Sequence, residues 1–339
     1  MKFAVGYQLP GEDEEPLVEV VRDYRERIAE VYFPWLDMPS GRSPMSSRSG
    51  YTDWEAQAVL EHDLKALREM GVALDLLLNA NCYGGQALSQ ALANRVCSII
   101  GHLCDIVGLD AVTTTSLAVA RTVQEHFPEV EVRASVSMRI GTVKGMQYVA
   151  DLFDSFYLQR EYNRDFERIG KLKAWADANG KGLHFLANSG CLNHCSGQSF
   201  HDNLVAHEAE IAETVNVGGW NPSVCWGYLA RRENWPALLQ NSWVRPEDLG
   251  HYEGWFTVAK LATRMHANPR KVVQAYCEGK YRGNLLDLFE PGHGMAIAPH
   301  VIDNARFPED WFARTTECDK RCETCSYCAG VLEDVLVAW

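Results

Sequence analysis

Residues 183–208, LHFLANSGCLNHCSGQSFHDNLVAHE, decide how the rest of the chain is read. The segment opens on an apolar run, 183–187, of strand length, which stops at Asn188, Ser189 and Gly190, so a buried strand ends there. Directly beyond the strand come Cys191 and Cys195, then His201, Asn203 and His207. The C-x3-C spacing between Gly190 and Gly197 lets two thiolates face one metal while the backbone between them turns. A pair of buried structural thiols is the competing reading, because free cysteine is among the most buried residue types.

Working outward, the same pattern recurs. Strand-like runs occupy 3–9, 28–35, 72–78, 111–115, 130–136, 155–159, 183–187 and 255–261, and helix-like segments separate them. Thr52 and Glu55 form a capping-box pattern for a helix that Gly71 ends. Asn268 and Pro269 open another, which Gly279 closes. Eight alternating β and α units over residues 1–265 predict an α/β fold of the (β/α)8 TIM-barrel type, with an insertion at about 209–243 and a Cys-rich extension over 266–339. A doubly wound open sheet is the rival topology, but no GxGxxG loop follows the first strand. Barrel enzymes work at the C-terminal ends of their strands. Cys82, Arg139, Arg164, Cys191, Cys195 and Arg264 all follow strands, so the barrel would gather them on one face.

Composition narrows the function. A chain of 339 residues that is 47% hydrophobic can bury a core large enough for one such barrel. Its net charge of −13 argues against nucleic acid and anionic membrane as partners. The start lacks a signal-type apolar core, and nothing approaches the roughly 18 apolar residues of a membrane span, so a cytoplasmic protein is expected. In that compartment eleven cysteines read as thiols, metal ligands or redox groups rather than disulfides. Cys97 and Cys104 share the apolar face of one helix and read as core. Arg42 and Arg48, in the Ser/Pro/Gly-rich loop 38–50, form a local positive cluster that suits an anion or simply faces solvent.

The tail carries its own signal. Cys318, Cys322, Cys325 and Cys328, in CDKRCETCSYC, put four thiols within eleven residues, which packing alone does not explain. Zinc is one occupant, but such tight spacing more often serves an iron–sulfur cluster. The first three also match the CxxxCxxC of radical SAM enzymes, although there the motif follows the first strand of the barrel and here it lies behind the eighth.

With these motifs in place the chain resembles the peptidase U-32 family over nearly its whole length, and within it the iron–sulfur barrel proteins. The resemblance rests on NANC (79–82), NRD (163–165), GCLNHC (190–195), HDNLVAH (201–207), VRPEDL (244–249), AKLATR (259–264), YRGNLLDL (281–288) and the terminal CDKRCETCSYC (318–328). It implies a [4Fe-4S] cluster, one or two, and O2-independent hydroxylation or related redox chemistry on a small or aromatic substrate, in some members with prephenate as oxygen source. Other members are named collagenase-like peptidases. Two departures stand out: Ser196, Gly197 and Gln198 replace the family's proline and arginine after the second cysteine, and Thr263-Arg264 replaces a glycine-arginine pair.

For the barrel cluster, Cys191 and Cys195 supply two ligands, Cys225 a third, and Cys82 is the expected fourth, since strands three and seven flank one mouth. A buried thiol beside Trp226 is the alternative for Cys225. His201 is the expected proton carrier, being nearer the cysteines than His207. Arg264, Arg164 and Arg139 suit bidentate binding of a carboxylate substrate or co-substrate, or else salt bridges to Glu161, Asp165 or Glu247. Asn203 and Lys260 complete the substrate-binding candidates. Hydrolysis finds no HExxH or GxSxG, and the sequence assigns no base to a cysteine nucleophile. A peptidase and a non-catalytic metal-binding protein remain the competing functions.

Overall fold

Eight parallel strands close a barrel in chain order: β1 Lys2–Gly6, β2 Ile28–Pro34, β3 Ala73–Leu78, β4 Ala111–Thr114, β5 Glu131–Ala134, β6 Ser155–Tyr157, β7 Gly182–Leu186 and β8 Val258–Leu261. The structure is a computed structural model that describes residues 1–41 and 52–338; the Arg42 and Arg48 cluster lies outside the described residues. β8 closes on β1 with Phe3 opposite Ala259 and Val5 opposite Leu261. All eight expected strands are present, each shorter at an end, and hydrogen bonds explain where they stop. Ser135 accepts from the Ser137 amide and starts a tight 3-10 turn, so β5 ends at Ala134 rather than 136. At β8 the Trp255 and Phe256 amides return to the Tyr252 carbonyl and close the preceding turn, which delays the strand to Val258.

The helices between strands are α1 Leu17–Asp23, α2 Trp54–Glu69, α3 Gln90–Ile106, α4 Leu117–His126, α5 Val143–Tyr148 and α6 Phe166–Ala178. Asp53, not the expected Thr52–Glu55 box, caps α2, its carboxylate accepting from the Ala56 amide at 3.0 Å. On α3 the buried face is Leu92, Val96, Ile99, Ile100 and Leu103, and Cys97 and Cys104 are half-buried at its margin rather than central to the core. Between β7 and β8 lie α7 Gln198–Ala206, α8 Glu208–Ala212 and α9 Val224–Leu229. The C-terminal part is more regular than its sequence suggests, with α10 Pro269–Glu278, α11 Gly294–Ile297, α12 Trp311–Thr316, α13 Tyr327–Val335 and an antiparallel pair, β9 His300–Ile302 and β10 Leu336–Ala338. Asn268 and Gly279 cap α10 as expected.

Aliphatic layers fill most barrels of this type. Here one interior layer is ionic. Arg133 on β5 donates to Glu30 on β2 at 2.6 Å and lies 3.9 Å from Asp75 on β3, whose Oδ2 also accepts from Thr113 at 2.8 Å. Lys260 on β8 sits 3.8 Å from the same carboxylate and over the rings of Tyr32 and Tyr157. Burial opposes the Arg133 charge, but Glu30 and Asp75 hold it fully protonated. Burial also pushes the Lys260 ammonium down to about 8 against the pull of Asp75 and Glu30.

Candidate active site and thiol clusters

The C-terminal mouth of the barrel encloses a cavity of about 100 Å³ bordered by Asn79, Arg160, Asp202, Lys260, Arg264 and Glu290. Its cations differ in how far they are committed. Arg264 donates to the Ser40 hydroxyl at 2.9 Å, and Lys260 answers Asp75. Arg160 is different: its Nε and Nη2 are buried and find no hydrogen-bond partner among the described residues. An unanswered buried guanidinium is costly unless a ligand completes it. The sequence favours Arg164, four residues on, because nothing in the spacing separates an arginine facing the cavity from one facing away.

The structure places the other two expected arginines elsewhere. Arg139 donates to the buried Glu161 at 3.0 Å, the salt bridge that was its alternative reading. Arg164 lies outside the barrel mouth, fully buried, donating to the Trp243 carbonyl at 2.6 Å and stacked against the rings of Trp243 and Trp311. Burial lowers its pKa, and Cys328 is among the groups that oppose the fall. Asn203 is exposed on α7, whereas its neighbour Asp202 borders the cavity. His201 is half-buried on the same helix.

The loop after β7 is tightly held. Asn188 donates to the carbonyls of Ala262 and Leu288 at 2.9 and 2.8 Å, and the Gly190 amide reaches the Glu290 carbonyl at 3.1 Å. Between the two cysteines, the Asn193 amide donates to Asn241 at 2.8 Å, and its side chain donates to Gln240 and Ser242. Gly197 packs so closely under α9 that a Cβ would lie 2.7 Å from Val224 and 3.8 Å from the Cys195 sulfur. This packing brings Cys225, the next residue of α9, to the same loop. Burial raises the Cys225 thiol, and Cys191 and Cys195 raise it further. At Gly190 a Cβ would meet the Pro291 carbonyl oxygen at 2.0 Å. Gly190→Ala should therefore lower stability by about 1–3 kcal/mol through forced backbone displacement. Thermal unfolding of that variant at an unchanged midpoint would show that the β7 loop yields freely.

Cys82 points to a different partner. Its thiol accepts from the Gly84 amide at 3.3 Å, and His207 together with that amide lowers its pKa. The tail cysteines do gather: Cys318, Cys322, Cys325 and Cys328 border one cavity of about 340 Å³ with Gln240 and Arg314. Burial pushes the Cys328 thiol up to about 11, opposed by Arg164 and reinforced by the other three thiols. Gln240 also accepts from Asn193, so a single backbone segment touches both thiol groups. Among the described residues, no three His, Cys, Asp or Glu side chains close on one point as a single-ion site would. Cys277 lies partly buried against the core.

No family model matches the chain. In sequence it is similar to the uncharacterized protease MJ1657 of Methanocaldococcus jannaschii, 23% identical over 275 residues that cover 79% of each protein. In fold it is similar to the U32 peptidase Mk0906, with a TM-score of 0.51 and 14% identity over 66% of this chain and 83% of that one. No helix among the described residues is long and apolar enough to cross a membrane. The two likenesses together support a U32-peptidase-like barrel protein.

Proposed function

We propose that the protein is a U32-type barrel enzyme that binds a carboxylate-bearing small or aromatic molecule in the mouth cavity and acts on it beside a thiolate-held iron–sulfur cluster. The observation that carries the substrate class is Arg160, a half-buried residue whose Nε and Nη2 are buried and unanswered among the described residues, at a cavity that also presents Lys260 and Arg264. A planar fork of this kind matches a carboxylate. Cys191, Cys195 and Cys225 would hold the cluster at the mouth, and the tail tetrad would hold a second. The donor chemistry fits: all-thiol groups of three and four favour iron–sulfur clusters, and a cubane spreads its ligands wider than one ion does. Three ligands leave one iron open to substrate. When bound, the cluster would supply electron transfer or Lewis acidity at the mouth, which suits hydroxylation or related redox chemistry.

The chain's own part is positioning. Arg160 and Arg264 orient the carboxylate, Asp202 and Glu290 border the opposite charge, and the Asn193–Asn241 bonds fix the cysteine loop. Lys260, with its pKa near 8, can give up a proton close to neutral pH. His201, one residue from Asp202 on α7, is the candidate proton carrier.

The second reading is hydrolysis of a peptide or other amide. The comparisons favour it more directly, since the relative is named a protease and the barrel matches that of a U32 peptidase.

Arg160→Gln tests the substrate class under either chemistry. Binding of a small aromatic carboxylate, followed by calorimetry, should weaken by about 1.5–3 kcal/mol, the worth of a hydrogen bond to a charged group. Folding stability should hold or rise, because the guanidinium is unanswered in the ligand-free protein. Unchanged affinity would remove Arg160 from the site.

A further inference from the structure

Cys82, His207 and Glu210 come from two distant parts of the chain and form a connected row at the barrel mouth. Cys82 lies three residues beyond Asn79, which borders the mouth cavity, on the loop after β3. His207 ends α7, five residues beyond Asp202, which borders the same cavity. The His207 ring lies against the loop that carries Cys82 and favours its thiolate, and its Nδ1 lies 3.1 Å from Glu210 Oε2. Gly84 completes the setting. Its amide donates to the sulfur at 3.3 Å, and its φ of +55°, which disfavours a side chain, turns the loop so that it can. A Cβ there would stand 3.7 Å from His207 Cε1, so loop and imidazole are in van der Waals contact.

We propose that Cys82 is a nucleophile, His207 its acid–base partner and Glu210 the group that orients the imidazole, together forming a centre for acyl transfer on amides or esters that carry a carboxylate. The class of substrate follows from Arg160, which would seat the carboxylate at the mouth cavity while the acyl carbon meets the sulfur; the cavity's rim residues Asn79 and Asp202 lie three and five residues before Cys82 and His207. This inference deepens the hydrolytic reading and rests on it for the natural reaction. Residue types support it too, since a nucleophile, a base in contact with it and a third group on the base's other nitrogen are what such catalysis requires. The shifts agree in direction. His207 and then the Gly84 amide lower the Cys82 thiol, while Cys82 and then Glu210 raise His207 against the effect of its burial.

The steps balance without any further reagent than water. The Cys82 thiolate adds to the acyl carbon, forming the C–S bond, and the imidazolium of His207 protonates the leaving nitrogen or oxygen as its bond to carbon breaks. Neutral His207 then takes a proton from water as that water attacks the thioester. The C–S bond breaks, the carboxylic acid leaves, and the thiolate–imidazolium pair is restored.

The test uses the full chain, purified without air, with p-nitrophenyl hydrogen succinate as an activated ester bearing a carboxylate. Peptide mapping by mass spectrometry should find a succinyl group on Cys82, absent in Cys82→Ala. Iodoacetamide labelling of Cys82 at neutral pH should slow in His207→Gln, because the thiolate fraction falls as the thiol loses the influence that lowers its pKa. Glu210→Gln should slow it less. Acylation of Cys82 with no turnover of any peptide would support the nucleophile while removing the peptidase reading. Acylation that avoids Cys82, or labelling that His207→Gln leaves unchanged, would overturn the proposal.

Discussion

Arg133→Met is expected to destabilise the protein by about 3–5 kcal/mol, the usual cost of removing one partner from a buried ion pair. Arg133 and Glu30 are almost completely shielded and Asp75 is fully buried, so water cannot take over when the guanidinium goes. The network has no slack to absorb the loss, since Glu30 Oε1, Asp75 Oδ1 and Arg133 Nε already find no partner among the described residues. Lys260, at 3.8 Å, would be left as the nearby cation for Asp75, and its proton is already weakly held. The penalty comes from the stranded carboxylates rather than from the lost contact. Arg133→Met combined with Glu30→Leu should therefore recover part of the stability, because an apolar pair of similar volume often replaces an ion pair at little cost. Urea unfolding of the two variants checks this. A single variant within about 1 kcal/mol of the wild type would mean that the ionic layer is already well solvated.

The barrel was legible because its signals are local. Apolar runs such as Leu74, Leu76, Leu77 and Leu78 on β3, followed by turn residues, recur eight times, and burial of one run demands the next. The two thiol groups were legible for the same reason, since C-x3-C and CDKRCETCSYC are short-range patterns. What was not legible depends on direction. Arg160 and Arg164 both follow β6, yet one faces the mouth cavity and the other lies against the rings of Trp243 and Trp311, rather than between them, beneath the tail. Those tryptophans stand 79 and 147 positions further along the chain, out of reach of any local pattern. The approach of His207 to the Cys82 loop spans 125 positions, beyond any local pattern. Cys225 comes to the Cys191–Cys195 loop because α9 is tied to it by the close approach at Gly197, a glycine beside the cysteine pair.

The largest effect expected of a single thiol is loss of the mouth cluster in Cys191→Ser. Serine keeps the size and the backbone of the loop, so the Asn193 bonds should survive, but its hydroxyl is a poor ligand for iron at neutral pH. The tail tetrad, with all four thiols around its own cavity, should be untouched. Iron and acid-labile sulfide, measured on protein purified without air, test this most directly. The wild type should carry about four iron and four sulfide per cluster, with Cys191→Ser losing one share and the double change Cys322→Ser, Cys325→Ser losing the other. Wild-type protein that contains zinc alone, or iron that Cys191→Ser leaves in full, would contradict a thiolate-held cluster at the barrel mouth.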